Sequence, residues 1–118
     1  MVVKILFSSH YAETSLPIIR LTKSRNGKTG TATFIFIEPK VFDNIIYKDF
    51  CLKGMYLLWE NKIIETNDLE IFFKNGVPFV IKVVIIFKNS KDWFNFLNFM
   101  NYYSKETGLS FSEKNSYS

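Results

Sequence analysis

Arg20-Leu21-Thr22-Lys23-Ser24-Arg25-Asn26-Gly27-Lys28-Thr29-Gly30-Thr31-Ala32-Thr33-Phe34-Ile35-Phe36 is the stretch whose reading decides the fold. Asn26-Gly27 and Gly30 supply residues that tolerate positive φ. The segments on either side, Ile18–Ser24 and Thr31–Ile37, are therefore expected to fold back on each other as a hairpin. Pro17 suits a strand's entry, and Glu38-Pro39 stops the second arm. The first arm is polar and basic and the second apolar and β-branched. Ala32, Phe34 and Phe36 share one face and are read as core. No residue in the block suits nucleophilic or metal chemistry, so it reads as a contact surface.

Outward from the hairpin, the pattern predicts further strands over Val2–Phe7, Met55–Trp59, Ile63–Thr66, Leu69–Phe73 and Phe79–Phe87. Turns are expected at Glu60-Asn61-Lys62 and Asn75-Gly76-Val77-Pro78. In the last strand Phe79, Ile81, Val83, Ile85 and Phe87 point one way and Val80, Val84 and Ile86 the other, which predicts a central strand covered on each side. Residues 40–52 read as a loop holding a helical turn. One helix is expected over Lys91–Thr107, with Ser90 as N-cap, Asp92 and Lys105 complementing the dipole, and Gly108 beyond the last turn. Its apolar stripe is Trp93, Phe96, Leu97, Met100 and Tyr103, with Asn95, Asn98, Tyr102 and Lys105 opposite. The predicted class is α+β: a single domain over residues 1–111, mainly antiparallel sheet with a C-terminal helix packed on one face. Residues 112–118 form a loose polar tail.

Composition narrows the function. A chain of 118 residues makes one domain. The net charge of +4 favours acidic partners: nucleic acid, an anionic membrane surface or an acidic protein face. A lone cysteine, Cys51, excludes an internal disulfide. The opening MVVKILFSSH is too short in its apolar run for a signal peptide and does not read as a transit peptide. The longest apolar stretch, Phe79–Phe87, is interrupted by Lys82 and is far short of the roughly 20 residues of a membrane-spanning helix. Thirteen Lys against 2 Arg, with 13 Ile, 13 Phe and 10 Asn, carry the imprint of an AT-rich genome.

Three chemical readings fail. Asn26-Gly27-Lys28-Thr29 echoes a phosphate-binding loop, but the first glycine of that motif falls on Thr22, and a strand follows where a helix is needed. Lys28, Gly30, Phe34 and Phe36 echo an RNA-recognition strand, yet its base-stacking positions fall on Thr31 and Thr33. His10 has no paired ligand, and Glu65, Asp68 and Glu70 read as a solvated turn. No cofactor, metal or catalytic residue is expected.

Four blocks in order carry a resemblance: Leu21 to Phe34; Gly54-Met55-Tyr56-Leu57; Phe73-Lys74-Asn75-Gly76-Val77-Pro78; and Trp93 with Phe96-Leu97-Asn98-Phe99-Met100 and Gly108-Leu109-Ser110-Phe111. The chain resembles the Psb twenty-eight family of photosystem II over nearly its whole length. That resemblance implies a pigment-free, non-enzymatic assembly factor, peripheral on the stromal or cytosolic thylakoid face. Its partners would be photosystem II intermediates, through the tail of CP forty-seven and the acceptor-side loops of the reaction-centre subunits. An AT-rich gene without a transit peptide fits a plastid location, with a cyanobacterial one as the alternative. Arg20, Lys23, Arg25, Lys28, Thr29, Thr31 and Thr33 are the expected partner-binding residues. If an edge of Thr31–Ile37 is open, it offers β-augmentation to an extended segment. The competing reading is a small basic module for single-stranded RNA.

Overall fold

Ala32, Phe34 and Phe36 are fully buried, while Thr31, Thr33 and Ile35 stand half-buried on the other side of the same strand. The two-residue alternation read from the sequence thus sets the faces of a sheet. The computed structural model describes residues 3–8, 11–44, 52–109 and 112–115. Strands β1 (Val3–Ser8), β2 (Tyr11–Ala12), β3 (Ile18–Lys23) and β4 (Gly30–Ile37) come first, and a 3-10 turn over Lys40–Asn44 follows. Then come β5 (Met55–Trp59), β6 (Lys62–Thr66), β7 (Leu69–Lys74), β8 (Val77–Phe87), the helix α1 (Ser90–Thr107) and β9 (Ser112–Asn115). The seven expected strands fall within a residue or two of their predicted bounds, while β2 and β9 lie outside the prediction. His10 and residues 45–51 of the loop before β5, Cys51 among them, lie outside the described residues.

The strands form two sheets. One has the order β2-β1-β5-β6 and the other β7-β8-β4-β3-β9. Tight turns at Glu60-Asn61 and Asn75-Gly76, all with positive φ, close the β5–β6 and β7–β8 hairpins. The inner faces meet through aromatic rings: Phe7 packs edge-on to Phe36 at 5.0 Å between centroids. The helix touches both sheets. Phe96 stacks on Phe87 at 4.8 Å and meets Phe34 at 6.1 Å, while Phe99 meets Trp59 at 5.4 Å. The sheets also join directly, since Thr66 Oγ1 donates to the Val84 carbonyl at 3.2 Å and the Val84 amide to the Asp68 carbonyl at 3.0 Å.

Several expectations are corrected. The N-cap is Asn89, not Ser90: its side chain accepts from the Asp92 amide at 2.9 Å and donates to the Asp92 carboxylate at 3.0 Å. An Asx oxygen one residue earlier reaches the third amide of the first turn, which Ser90, already helical, does not. Asn89→Ala is expected to cost ~1 kcal/mol in urea unfolding. The buried stripe takes Phe99 in place of Leu97, which is half-buried, and Asn98 turns to accept from Trp59 Nε1 at 2.8 Å. Gly108 closes the helix as expected, with φ of 73°. Residues 112–115, expected in a loose tail, run as β9 parallel to β3. Among the described residues the second face of β8 is only partly covered: Val80 and Val84 are half-buried, and Ile86 is 60% exposed. Nor has β4 an open edge, because β3 and β8 pair with it on its two sides.

Glu13 is the buried acid among the described residues. Its carboxylate accepts from the Val41 amide at 2.7 Å, the Lys40 amide at 2.8 Å and the Ser15 amide at 3.0 Å, so it pins the 3-10 turn to the segment after β2. Glu13→Gln puts an amide donor among these donors. We expect it to lower unfolding stability by ~2 kcal/mol, the cost of weakened charge-assisted bonds and one unmatched amide.

Burial, and secondarily the charge of Glu13, push the Tyr103 phenol up to about 12. The unfolded phenol ionises near 10. Below that pH both states hold the proton and stability is unaffected. As pH rises from about 10 to 12 only the unfolded state ionises, and stability falls. Absorbance titration of the native chain, compared with a Tyr103→Phe chain, should assign to Tyr103 an ionisation near pH 12.

Candidate interaction surface

The uncovered side of the five-stranded sheet is the candidate site, and strand register fixes what stands on it. Arg20 of β3 lies opposite Thr33 of β4, which lies opposite Val84 of β8. One row along, Thr22, Thr31 and Ile86 align. In the other direction Ile18, Ile35 and Lys82 align and continue to Glu70 of β7, and the last row holds Ile37, Val80 and Phe72. Ile18, Ile37, Phe72 and Ile86 are each about half exposed or more, at 49%, 52%, 46% and 60%. An open sheet face this rich in β-branched apolar groups, framed by charges, has the composition of a docking surface.

The hairpin loop stands at one end of this face. Three amides of its tip are already bound: Gly27 donates to the Ser24 carbonyl at 3.0 Å, Lys28 to Asn26 Oδ1 at 2.9 Å and Thr29 to Ser24 Oγ at 3.2 Å. Gly27 takes φ of 72°, which a side-chain-bearing residue adopts only with strain. With the Gly27, Lys28 and Thr29 amides turned inward and a strand, not a helix, following, the loop lacks the amide cradle of a phosphate-binding loop. Arg25 and Lys28 are exposed at its tip. Thr29 lines a shallow groove of about 350 Å³ with Thr22, Ser24, Thr31, Ile86 and Lys88.

The seven expected residues are thus only partly brought together. Arg20, Thr31 and Thr33 share the open face; Thr29, Arg25 and Lys28 flank its loop end. Lys23 has the opposite parity to Arg20, and its aliphatic stem lies against the loop at Gly27. Sequence reading missed the apolar part of the surface: Ile18, Ile35, Ile37, Phe72, Val80, Val84 and Ile86. Its signal was present in the two-faced apolar pattern of β8. On β4, whose core-side Phe34 and Phe36 are fully buried, the open face carries no aromatic ring, so it has no platform for stacking RNA bases. Among the described residues no cluster of His, Cys, Asp and Glu could hold a metal, and no helix is long and apolar enough to cross a membrane.

Comparison with known proteins is decisive for the family. The family described as Psb28 protein matches residues 5–111, nearly the entire chain. The chain belongs to the Psb28 family. Relatives named photosystem II reaction center Psb28 protein include that of Phaeodactylum tricornutum, 42% identical over 113 residues, spanning 96% of this chain and 98% of the relative. That of Trichormus variabilis is 42% identical over 110 residues, spanning 93% and 97%. That of Guillardia theta is 43% identical over 103 residues, spanning 87% and 89%. The matched residues 5–111 take in strands of both sheets and the whole helix, and stop short of β9.

Proposed function

We propose that this chain is a non-catalytic assembly factor of photosystem II. It docks transiently on intermediates at the stromal or cytosolic face of the thylakoid, near the CP forty-seven tail and the acceptor-side loops. The observation that carries the reading is the uncovered, apolar face of the five-stranded sheet, bordered by Arg20, Arg25 and Lys28. Family membership supplies the partner class. The apolar rows give contact area, and the basic residues select acidic or carboxyl-terminal groups.

Strand addition remains the mode by which an extended tail would be held, but not at β4, whose two edges are both paired. Among the described residues, the edges of the five-stranded sheet are β7 and β9. The β9 side adjoins the basic residues of β3, since Arg20 lies opposite Ser112. A partner strand therefore adds outside β9 or takes its place beside β3.

Isolating the tagged chain from thylakoids of its own cells tests this reading. Photosystem II subunits without the mature oxygen-evolving proteins are the expected companions. Recovery of nucleic acid, with affinity falling steeply as salt rises, would contradict it.

A further inference from the structure

The turn of the β7–β8 hairpin closes the end of the five-stranded sheet opposite the basic β3–β4 loop. Register fixes this: Lys74 pairs with Val77 at one end of β8, and Gly30 with Phe87 at the other. The 11 residues of β8 hold the two ends roughly 30 Å apart. Of the nine large apolar side chains exposed among the described residues, four gather at the turn end: Ile37, Phe72, Phe73 and Val77.

Phe72 and Phe73 are consecutive on β7, and the bulge between their partners falls on β8 at Phe79, so the two rings point to opposite faces. Phe72 belongs to the open face. Phe73 has the parity of Leu69 and Ile71, which are half-buried, yet it is 58% exposed, and Val77 beside the turn is 61% exposed. The hairpin end therefore reaches past the core with apolar groups on both of its sides. A protein surface covers one side of such a tip, whereas a fluid apolar layer covers both at once.

We propose that the β7–β8 tip enters the headgroup layer of a lipid bilayer, with Phe73, Val77 and Phe72 at the acyl boundary and Lys74 on anionic headgroups. Lys74 stands within the apolar cluster, its Nζ over the Phe79 ring at 5.1 Å, and its aliphatic stem lets the ammonium reach back to phosphate level. No acid interrupts the chain from Ile71 to Lys91. Two acids set the tilt and depth. Glu38, whose amide donates to the Phe79 carbonyl at 2.7 Å, follows β4, two strands across from β7, so the β7 side leads. Glu70, opposite Lys82, lies two residues behind Phe72 and stays in water. From the turn to Phe72 is roughly 10 Å, which matches the depth of an interfacial apolar group. The turn's unpaired backbone groups keep the tip out of the hydrocarbon core.

Three apolar side chains and one cation make a weak, reversible contact. It adds to protein docking at the far, basic end by raising effective concentration, but it does not depend on that docking.

Flotation of the full chain with phosphatidylcholine vesicles containing about 30% phosphatidylglycerol tests the contact. Phe73→Ser with Val77→Ser should lower vesicle partitioning about tenfold or more, and Lys74→Gln about fivefold. Phe94→Ser removes a ring of similar exposure, 54%, from the start of α1, beyond the far end of β8, and should leave partitioning unchanged. Phe73→Trp should shift emission to the blue when vesicles are added, beyond any shift of the parent chain. All four positions are exposed, and circular dichroism checks that each variant is folded. No flotation, flotation indifferent to Phe73→Ser with Val77→Ser, or an equal loss in Phe94→Ser overturns the proposal. Binding abolished by reversing Arg25 and Lys28 but not by the tip changes would assign the lipid contact to the basic loop and overturn it too. The vesicles hold no protein, so failure here and failure of docking on photosystem II are told apart.

Discussion

Replacing both Arg25 and Lys28 by glutamate is expected to lower capture of photosystem II intermediates about a hundredfold, ~2.7 kcal/mol, with no fall in the chain's own melting temperature. Both residues are exposed at the tip of the β3–β4 loop, at the basic end of the open sheet face. Reversing their sign turns attraction for an acidic or carboxyl-terminal group into repulsion at two positions. The fold is spared because the loop is held by other groups: the Ser24 amide donates to the Thr29 carbonyl at 3.0 Å, and Ser24 Oγ to Asn26 Oδ1 at 2.7 Å. Added salt should weaken the native interaction and barely affect the variant. Quantitative pull-down from thylakoid extracts at two ionic strengths checks both points. Equal capture by the two chains would remove the loop from the interface.

Gly30→Val is expected to be the most damaging single change to the fold, costing ~3 kcal/mol or more in urea unfolding. The reason is a close approach, not backbone conformation. A Cβ on Gly30 would stand 2.6 Å from Trp93 Cη2 and 2.7 Å from Cζ2 and Cζ3. The indole cannot retreat, because it is fully buried and packed against Phe87 at 5.5 Å and Phe96 at 6.0 Å. Nor can β4 shift without breaking its ladders with both β3 and β8. Gly30→Ala already meets the clash and should lose stability in the same direction, by less. Restored stability in a Gly30→Ala chain that also carries Trp93→Phe would confirm that the ring is the obstacle.

Gly30 also shows what one sequence can and cannot reveal. Its place between Asn26-Gly27 and an alternating strand announced a turn and a sheet, and the hairpin, its arms and the buried Phe34 and Phe36 followed. That glycine serves a tryptophan sixty-three residues away was invisible, because side-chain approach across sequence depends on strand order. The same limit hid the β4 edges: alternation tells which face a residue occupies but not which strand lies beside it. Two-sided apolar patterning in β8 was legible, yet it fits a strand covered on both faces as well as one whose second face waits for a partner. The helix was read from its caps and stripe. Choosing Asn89 over Ser90, and Phe99 over Leu97, needed the backbone's actual phase. Arg20, Thr31 and Thr33 could be grouped from parity alone. Lys23 was included with them on charge, although its parity turns it toward the loop.

The central claim is that the open face of the five-stranded sheet, with its basic hairpin, is where this chain meets photosystem II. Hydrogen–deuterium exchange of the chain, alone and bound to purified photosystem II intermediates, tests it most directly. The account predicts slowed exchange in the β3–β4 hairpin and along the β9 side of that sheet, with the four-stranded sheet β2-β1-β5-β6 unchanged. Slowed exchange confined to the four-stranded sheet, or none in either sheet, would contradict it.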